Sequence, residues 1–303
     1  MKNVVVFGGS GFLGSYVVDE LLARNFNVTI ADINQSQYHK DQCHFVSVDI
    51  MNQQAIESLI TPDIDIVYNY AGFSDLTDST NQLVLTAQLN IMGNLHILEG
   101  CKKSKIKRFI YASSAYAHSE KGSFYGISKL SSEKFIEKQQ QLYGLEYTIL
   151  RYGSLYGDRA SEANGICRLL KQAIQQGKII HFGNGEEVRE YIHCRDAAKL
   201  SVDILDPQYK NTSYVLTGVE KLKYRDLLTM LQEIFNDELE VQYSDKACDA
   251  HYFVTPYSFK PSMAPKLVSN PYIDLGQGLL ECITSLHQKI HLEEENKMEC
   301  KVI

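Results

Sequence analysis

The chain has 303 residues, of which 44% are hydrophobic and 22% are charged, as is usual for a soluble globular protein. A formal net charge of -7 argues against a nucleic acid as the partner. No apolar run approaches the roughly 20 residues of a membrane span, and the N-terminus lacks the segments of a signal peptide. The seven cysteines form no CxxC pair and no grouping with histidine at metal-ligand spacing. We therefore expect reduced thiols, no metal site and a cytoplasmic protein.

The N-terminus predicts a buried strand, a glycine turn and a helix. Residues 4–7 are apolar and suit a strand covered on both faces of a parallel sheet. Gly8 allows a tight turn, Gly11 lets a pyrophosphate approach the backbone, and Gly14 lets the helix pack close to the strand. The amides and positive dipole end at the start of the helix would face the phosphates, although a turn that serves only packing is the alternative. The cofactor contacts predicted here are Gly8, Gly11, Phe12, Leu13 and Gly14.

Strands and helices alternate through the first half of the chain. A second strand over 27–31 delivers Asp32 to its carboxyl end. An acid about 20 residues beyond the glycines can accept hydrogen bonds from the adenosine ribose and would repel a 2'-phosphate, which favours NAD over NADP. The alternative is an aspartate that caps a helix or closes a turn. Further strands over 45–48, 64–69 and 107–112 predict an α/β fold with a doubly wound parallel sheet of the Rossmann type.

A serine, a tyrosine and a lysine follow the last of these strands. Ser114 lies at the strand end, and Tyr125 and Lys129 are four residues apart at the start of a helix predicted to reach about residue 142. That separation places both side chains on one helix face. An ammonium group close by, together with an oxidised nicotinamide, would lower the pKa of the phenol from about 10 toward about 7. Tyr125 would then be a general base. A YxxxK pair alone is more often a surface pair, but the other motifs make the combination specific.

Together these motifs resemble the extended short-chain dehydrogenase/reductase superfamily, in particular its sugar-nucleotide epimerases and dehydratases. The stretches that carry the resemblance are GGSGFLG at 8–14, Asp49-Ile50, Asn90 with Gly93, YASSA at 111–115, YGISK at 125–129, RYGSLYG at 151–157 and REYIHCRD at 189–196. The resemblance implies that Ser114 binds the reacting hydroxyl, Tyr125 takes its proton and Lys129 holds the nicotinamide ribose. It also implies that Asp32, Asp49 and Ile50 lie along the adenosine half of NAD. Ala71 has a small side chain, which would let the cofactor lie against the backbone. Asn90 is the last of the expected cofactor contacts.

Departures from the family pattern narrow the expected reaction. The 4,6-dehydratases carry a threonine, an aspartate and a glutamate in succession, where this chain has Ser114, Ala115 and Tyr116. The fucose-synthase branch needs a cysteine just after the serine, and Ala115 stands there. What remains is removal of a hydride from one carbinol carbon and its return, which needs only the serine, tyrosine, lysine and NAD.

The second half of the chain is expected to bind the substrate. Arg189 is placed against its diphosphate, because a guanidinium matches phosphate oxygens; an exposed strand arginine is the alternative. Ser154 stands where the family has an asparagine, and Lys260 substitutes for a family arginine. His118, in an unusually short loop, is either a substrate contact or a solvated side chain. Three smaller expectations are a packed His193 at a strand end, Asp196 as the cap of a helix over 197–205, and a helix over 224–235.

The resemblance implies an NAD-binding domain of 1–157 plus 194–218 and a sugar-nucleotide lobe of 158–193 plus 219–303. We expect a 4-epimerase of a nucleoside-diphosphate sugar with internal hydride return. A 4-dehydrogenase that releases the keto sugar is the close alternative, a 4-ketoreductase is disfavoured by Asp32, and a non-catalytic nucleotide sensor is remote. The resemblance further implies a homodimer through a four-helix bundle of the helices over about 78–103 and 125–142.

Overall fold

A computed structural model describes residues 1–244, residue 253 and residues 264–299. The strands are β1 (Asn3–Phe7), β2 (Asn27–Asp32), β3 (His44–Ser47), β4 (Ile66–Asn69), β5 (Arg108–Ser114), β6 (Glu146–Tyr152), β7 (Ser154–Tyr156), β8 (Lys178–Phe182), β9 (Val188–Arg189), β10 (Tyr191–His193), β11 (Thr212–Leu216), β12 (Leu222–Lys223), β13 (Glu240–Ser244) and β14 (Lys266–Leu267). The α-helices are α1 (Phe12–Ala23), α2 (Gln53–Leu59), α3 (Leu76–Ser79), α4 (Leu83–Ala87), α5 (Gly93–Lys103), α6 (Ser123–Tyr143), α7 (Gly165–Gln176), α8 (Cys194–Asp203), α9 (Tyr224–Ile234) and α10 (Leu275–Glu299).

Eight parallel strands form the central sheet in the order β14-β11-β6-β5-β4-β1-β2-β3. This arrangement confirms the predicted doubly wound parallel sheet. From β1 the chain builds outward through β2 and β3, and then returns to place β4 on the other side of β1. The strand order therefore reverses between β1 and β4, and a crevice opens beyond the carboxyl ends of two such strands.

Helices cover both faces of this sheet, which is why its strands are continuously apolar. On one face, α1 and α8 bury side chains such as Val17 and Leu200 against β1 and β2. On the other face, α2, α5 and α6 contribute residues that include Ile56, Ile97 and Ile136. Because the sheet is buried on both sides, its polar groups can reach a ligand only at its edges and strand ends.

A third hydrophobic core lies outside the sheet, in the region expected to bind substrate. It joins α7, α9 and α10 through residues such as Leu170, Leu228 and Leu279. Three two-stranded sheets accompany it: β10 with β7, β12 with β9 and β13 with β8. The predicted helix over 224–235 is confirmed as α9. The domain boundaries themselves stay a prediction. In the described part of the chain, no helix has both the length and the apolar character needed to cross a membrane.

Two local features differ from the expectations. Helix α8 begins at Cys194, and the ring Nδ1 of buried His193 accepts a 3.2 Å hydrogen bond from the Arg195 amide, so His193 and not Asp196 is the cap. Asp196 instead lies in the first turn and accepts a 2.7 Å bond from the amide of Ile273. The single helix expected over about 78–103 is divided, and a π-helical turn at Gln88–Met92 lies between α4 and α5.

Candidate active site

The glycine turn between β1 and α1 lies at the crevice. Gly8 has a φ of +76°, and a Cβ there would come within 2.5 Å of the amide nitrogen of Ala71, just after β4. A Cβ at Gly14 would collide with the main-chain oxygen of Gly8. Gly11 occupies the N-cap of α1, and Phe12 and Leu13 are its first two residues. The turn thus lies between Ala71 and the start of α1. Side chains at Gly8 and Gly14 would occupy the space beside its backbone.

Asp32 is joined to this turn. Its carboxylate accepts a 3.1 Å hydrogen bond from the amide of Ser10 and a 3.3 Å bond from the amide of Asn34. The hydroxyl oxygen of Ser10 is buried and has no hydrogen-bond partner in the part of the chain that the structure describes. A buried polar group normally has a partner, so this hydroxyl is suited to an added ligand with acceptor oxygens. The turn, its helix N-terminus and the acid fit a dinucleotide.

The remaining residues of the expected adenosine half lie on neighbouring segments. Asp49 is exposed beyond β3, and its Oδ1 accepts a 2.9 Å bond from the amide of Met51. Ile50 is 7% exposed and packs against Gly93 of α5, where a Cβ would come within 2.6 Å of the Ile50 Cδ1. Ala71 donates its amide to the side chain of Asn69 at 3.1 Å.

Asn90 fastens the loop after β4 to α6. Its side chain accepts a 2.7 Å bond from the amide of Phe73, donates to the main-chain oxygen of the same residue at 2.9 Å, and donates to the Ser128 hydroxyl at 2.9 Å. The π-helical turn around Asn90 directs this side chain inward, where it is 2% exposed. Such turns are often found at functional sites.

Ser114 and Tyr125 meet at the carboxyl end of β5. The Ser114 hydroxyl accepts a 3.2 Å bond from the amide of Tyr116 and is hydrogen bonded to the phenol of Tyr125. Burial raises the pKa of Tyr125, and the hydrogen bond from Ser114 opposes this. The direction is opposite to the lowering of the pKa expected with an oxidised nicotinamide, because burial disfavours the charged phenolate.

Lys129 lies one turn further along α6. It is 6% exposed, and its Nζ donates a 2.8 Å bond to the main-chain oxygen of Ala112. The same Nζ lies 5.8 Å from the centre of the Tyr125 ring and 5.0 Å from that of Tyr111. Burial lowers the pKa of Lys129 to about 8, while the charge of Glu133 opposes the change. The structure therefore brings Ser114, Tyr125 and Lys129 together as a hydroxyl, a phenol and an amine.

Glu133 was not identified from the sequence. It follows Lys129 by four residues, is fully buried, and is hydrogen bonded to Ser113, His118 and Arg151. These donors hold its pKa at about 2 although burial alone would raise it. His118 is only partly exposed and its ring lies 3.1 Å from the Glu133 carboxylate, so it is more than a solvated loop side chain, while its contact with a substrate stays a prediction. The spacing of four residues from Lys129, which places both side chains on one helix face, was the one sequence signal that could have identified Glu133.

The expected substrate residues lie on the small sheets. Ser154 is the half-buried first residue of β7. Arg189 is on β9 and only 9% exposed, so the alternative of an exposed strand arginine is wrong. Its Nη1 donates a 2.9 Å bond to the main-chain oxygen of Val188, and its charge opposes the burial that raises the pKa of Tyr224 to about 12. Lys260 lies outside the described residues.

Comparisons with known proteins extend this picture. Residues 4–216 match the model of the NAD dependent epimerase/dehydratase family. A UDP-glucose 4-epimerase of Halalkalibacterium halodurans is 27% identical over 76% of this chain and 80% of its own length. A UDP-N-acetyl-alpha-D-glucosaminuronate decarboxylase of Bacillus cytotoxicus is 26% identical over 93% of this chain and 97% of its own. The crystal structure of a Bacillus cereus UDP-glucuronic acid 4-epimerase with UDP-glucuronic acid and NAD superposes with a TM-score of 0.82 at 23% identity, covering 94% of this chain and 99% of that one, which shows a common fold.

Proposed function

Because the chain belongs to the NAD-dependent epimerase/dehydratase family, we propose that it is a 4-epimerase of a nucleoside-diphosphate sugar. One observation carries the proposal. The strand end that holds Ser114 beside Tyr125 and Lys129 continues with Ala115 and Tyr116, and so offers no carboxylate or thiol for a second reaction beside the ketone. The residues present suffice for oxidation and reduction at one carbon.

In this reaction the chain's own residues move and hold a proton. Bound NAD supplies the hydride acceptor and donor. Tyr125 takes the proton of the C4 hydroxyl as a base and later returns it, while Ser114 donates a hydrogen bond to the same oxygen. Lys129 contributes a positive charge that favours the phenolate form of Tyr125. Internal return of the hydride to the other face of the keto sugar makes the outcome an epimerisation.

The cofactor contacts that we propose follow from the glycine turn and its surroundings. Gly8, Gly11 and Gly14 leave the backbone free of side chains, and the amides at the start of α1 would face the phosphates of the cofactor. Phe12 and Leu13 provide these amides, Asp32 accepts from the adenosine ribose, and the other contacts are Asp49, Ile50, Ala71, Asn90 and Lys129.

The substrate contacts that we propose lie on β7 and β9. Arg189 would bind the diphosphate, supported by its low exposure and by the hydrogen bond that its Nη1 donates to the main-chain oxygen of Val188. Ser154 would donate a hydrogen bond to the nucleotide sugar from the first residue of β7. The names of the two relatives support a UDP-sugar, since both name a UDP compound.

A panel of nucleoside-diphosphate sugars followed by proton NMR tests the proposal. Purified protein is incubated with UDP-, GDP-, dTDP- and CDP-sugars without added cofactor. A product with a changed H4 coupling constant is expected, because tightly held NAD returns the hydride. A dehydrogenase would instead make the H4 signal disappear, and to a greater extent only when NAD or a ketone acceptor is added. That result would contradict the proposed epimerase activity. No change in any sugar, with NAD still bound, would favour a nucleotide sensor.

We also propose a homodimer through a four-helix bundle of the helical regions over about 78–103 and 125–142. Both helices carry large apolar side chains that are exposed to solvent in the single chain. Their exposed fractions are 50% for Leu83, 67% for Val84, 44% for Met92, 62% for Ile127 and 45% for Phe135. Large exposed apolar side chains on helices that pack against each other support an interface there.

We propose a cytoplasmic location because the cysteine thiols are free. The five cysteines in the described residues, Cys43, Cys101, Cys167, Cys194 and Cys282, are all free. Free thiols persist in a reducing compartment. Fractionation of cells followed by immunodetection would test this location.

A further inference from the structure

Glu133 is a buried carboxylate that the proposed chemistry does not use. It lies on α6, four residues after Lys129 and eight after Tyr125, so the three side chains share one helix face. It is 0% exposed, and a carboxylate removed from water is tolerated only when it is paired and hydrogen bonded. Its interactions therefore indicate what its burial stabilises.

The donors to Glu133 come from three different segments. The Nε and Nη2 atoms of Arg151 on β6 donate at 3.0 and 2.8 Å. The hydroxyl of Ser113 on β5 donates to one oxygen, and the Nε2 of His118 lies 3.1 Å from the other. Because the pKa of Glu133 is held at about 2, the carboxylate is ionised and can only accept, so His118 donates from Nε2.

Two of these donors enclose the catalytic serine. Ser113 directly precedes Ser114, and His118 ends the 3-10 helical turn of Ala115–His118 that the Ser114 hydroxyl caps. A single carboxylate on the helix of Tyr125 thus holds both ends of the segment that carries Ser114. The relative position of the Ser114 and Tyr125 hydroxyls depends on how this segment is seated against α6.

We propose that Glu133 is a positioning residue that fixes the Ser114 segment against the helix bearing Tyr125 and Lys129, with His118 as its contact to the short loop. The Arg151 ion pair supports the buried carboxylate from β6. Glu133 also opposes the loss of the proton from Lys129, which burial otherwise favours. The effects on kcat and KM that we expect rest on the proposed function.

His118 offers the mildest way to test the cluster, since it is the partly exposed member and its removal leaves the buried pair with Arg151 intact. The kinetic experiment compares His118→Ala, His118→Gln and the control His287→Ala, a histidine exposed on α10. We expect His118→Ala to lower kcat about 10-fold with KM within about 2-fold, because a small misplacement of reacting groups is costly. His118→Gln should recover most of kcat, since its amide can donate to Glu133, and His287→Ala should match the wild type.

A second variant tests the carboxylate itself. Glu133→Gln keeps the size of the side chain but removes its charge, and at a temperature where circular dichroism shows it folded we expect kcat to fall by about 100-fold. Full activity in folded Glu133→Gln would overturn the inference. Should this variant fail to fold, the His118 variants decide. Equal kcat in His118→Ala and His287→Ala would overturn the proposal, and so would a His118→Gln variant as impaired as His118→Ala.

A measurement without substrate separates this inference from the proposed function. Protein labelled with ¹³C at the tyrosine ζ carbon gives a Tyr125 resonance, identified by its loss in Tyr125→Phe. This resonance should move in His118→Ala and stay in place in His287→Ala. If the wild type converts no sugar, the proposed function fails, but a shifted resonance still supports the positioning role. An unmoved resonance in His118→Ala would overturn it.

Discussion

The Nζ atom of Lys129 donates a 2.8 Å hydrogen bond to the main-chain oxygen of Ala112, two residues before Ser114. The bond joins the start of α6 to the end of β5 within the protein itself. It also holds the amine in a buried place, where the charged form is disfavoured. The positive charge of Lys129, which favours the phenolate form of Tyr125, is therefore sensitive to pH in a range close to neutrality.

The first prediction concerns this pH dependence. Because burial lowers the pKa of Lys129 to about 8, its positive charge is present below that pH and is lost as the pH rises through it. We expect kcat/KM to fall above about pH 8 in a profile of initial rates. Lys129→Arg keeps its charge at all these pH values, so its relative profile should stay flat across the same range. A fall at the same pH in Lys129→Arg would show that another group titrates.

The second prediction concerns the base. Tyr125→Phe removes the phenol oxygen from the hydrogen bond with Ser114, and we expect kcat to fall by about 100- to 10,000-fold because general acid–base catalysis is lost. Bound NAD and the melting temperature should change little. The matched control is Tyr214→Phe, on the partly exposed strand β11. Comparable activity in the two variants would remove Tyr125 from the reaction.

The third prediction concerns the glycine turn. A Cβ at Gly8 would come within 2.5 Å of the Ala71 nitrogen at a φ of +76°, so Gly8→Ala should lower the melting temperature and abolish NAD retention. Gly165→Ala, at a helical position with no atom within 4 Å of the new Cβ, is the control and should be neutral or mildly stabilising. Absorbance of the nucleotide released on denaturation reports retention. Normal NAD content in Gly8→Ala would refute the proposed cofactor position.

The fourth prediction concerns cofactor choice. Asp32→Ala removes the carboxylate that accepts from Ser10, and with it the repulsion of a 2'-phosphate. Calorimetric titration of cofactor-free protein should show NAD binding weakened about 10-fold, since a hydrogen bond to a charged group is lost. Binding of NADP should improve relative to NAD. Asp41→Ala, at an exposed position of the β2–β3 loop, serves as the control. An unaltered preference in Asp32→Ala would favour a purely structural role for this acid.

The fifth prediction concerns assembly. A charge placed in the exposed apolar surface of α6, as in Ile127→Glu combined with Phe135→Glu, should shift sedimentation from dimer to monomer, because an unpaired charge would be buried. Leu292→Glu, at a residue 58% exposed on α10, should leave the sedimentation unchanged. A wild-type monomer, or a dimer that persists in the double variant, would contradict the proposed interface.

Local patterns were sufficient for much of the site. The turn around Gly8, the acid at the end of β2 and the four-residue spacing of Tyr125 and Lys129 are short-range features, and the structure places each where the pattern indicates. The reason is that backbone conformation at a glycine turn and side-chain direction on a helix depend on neighbouring residues.

Other features depend on segments far apart in the chain. Asp196 was expected to cap α8, but His193 does so because β10 delivers it there and Ile273 binds Asp196 instead. The π-helical turn that directs Asn90 at Phe73 likewise has no short-range signature.

The sequence by itself determined the first five strands of the sheet, the glycine turn and the positions of the hydroxyl, phenol and amine that we propose for the reaction. Only the tertiary structure decided how these groups are held. Glu133 is hydrogen bonded to Arg151, 18 residues away in the sequence, and to Ser113, 20 residues away. Burial then sets the directions in which the pKa values of Tyr125 and Lys129 move. Desolvation and long-range hydrogen bonding arise from packing in three dimensions, so no spacing along the chain specifies them.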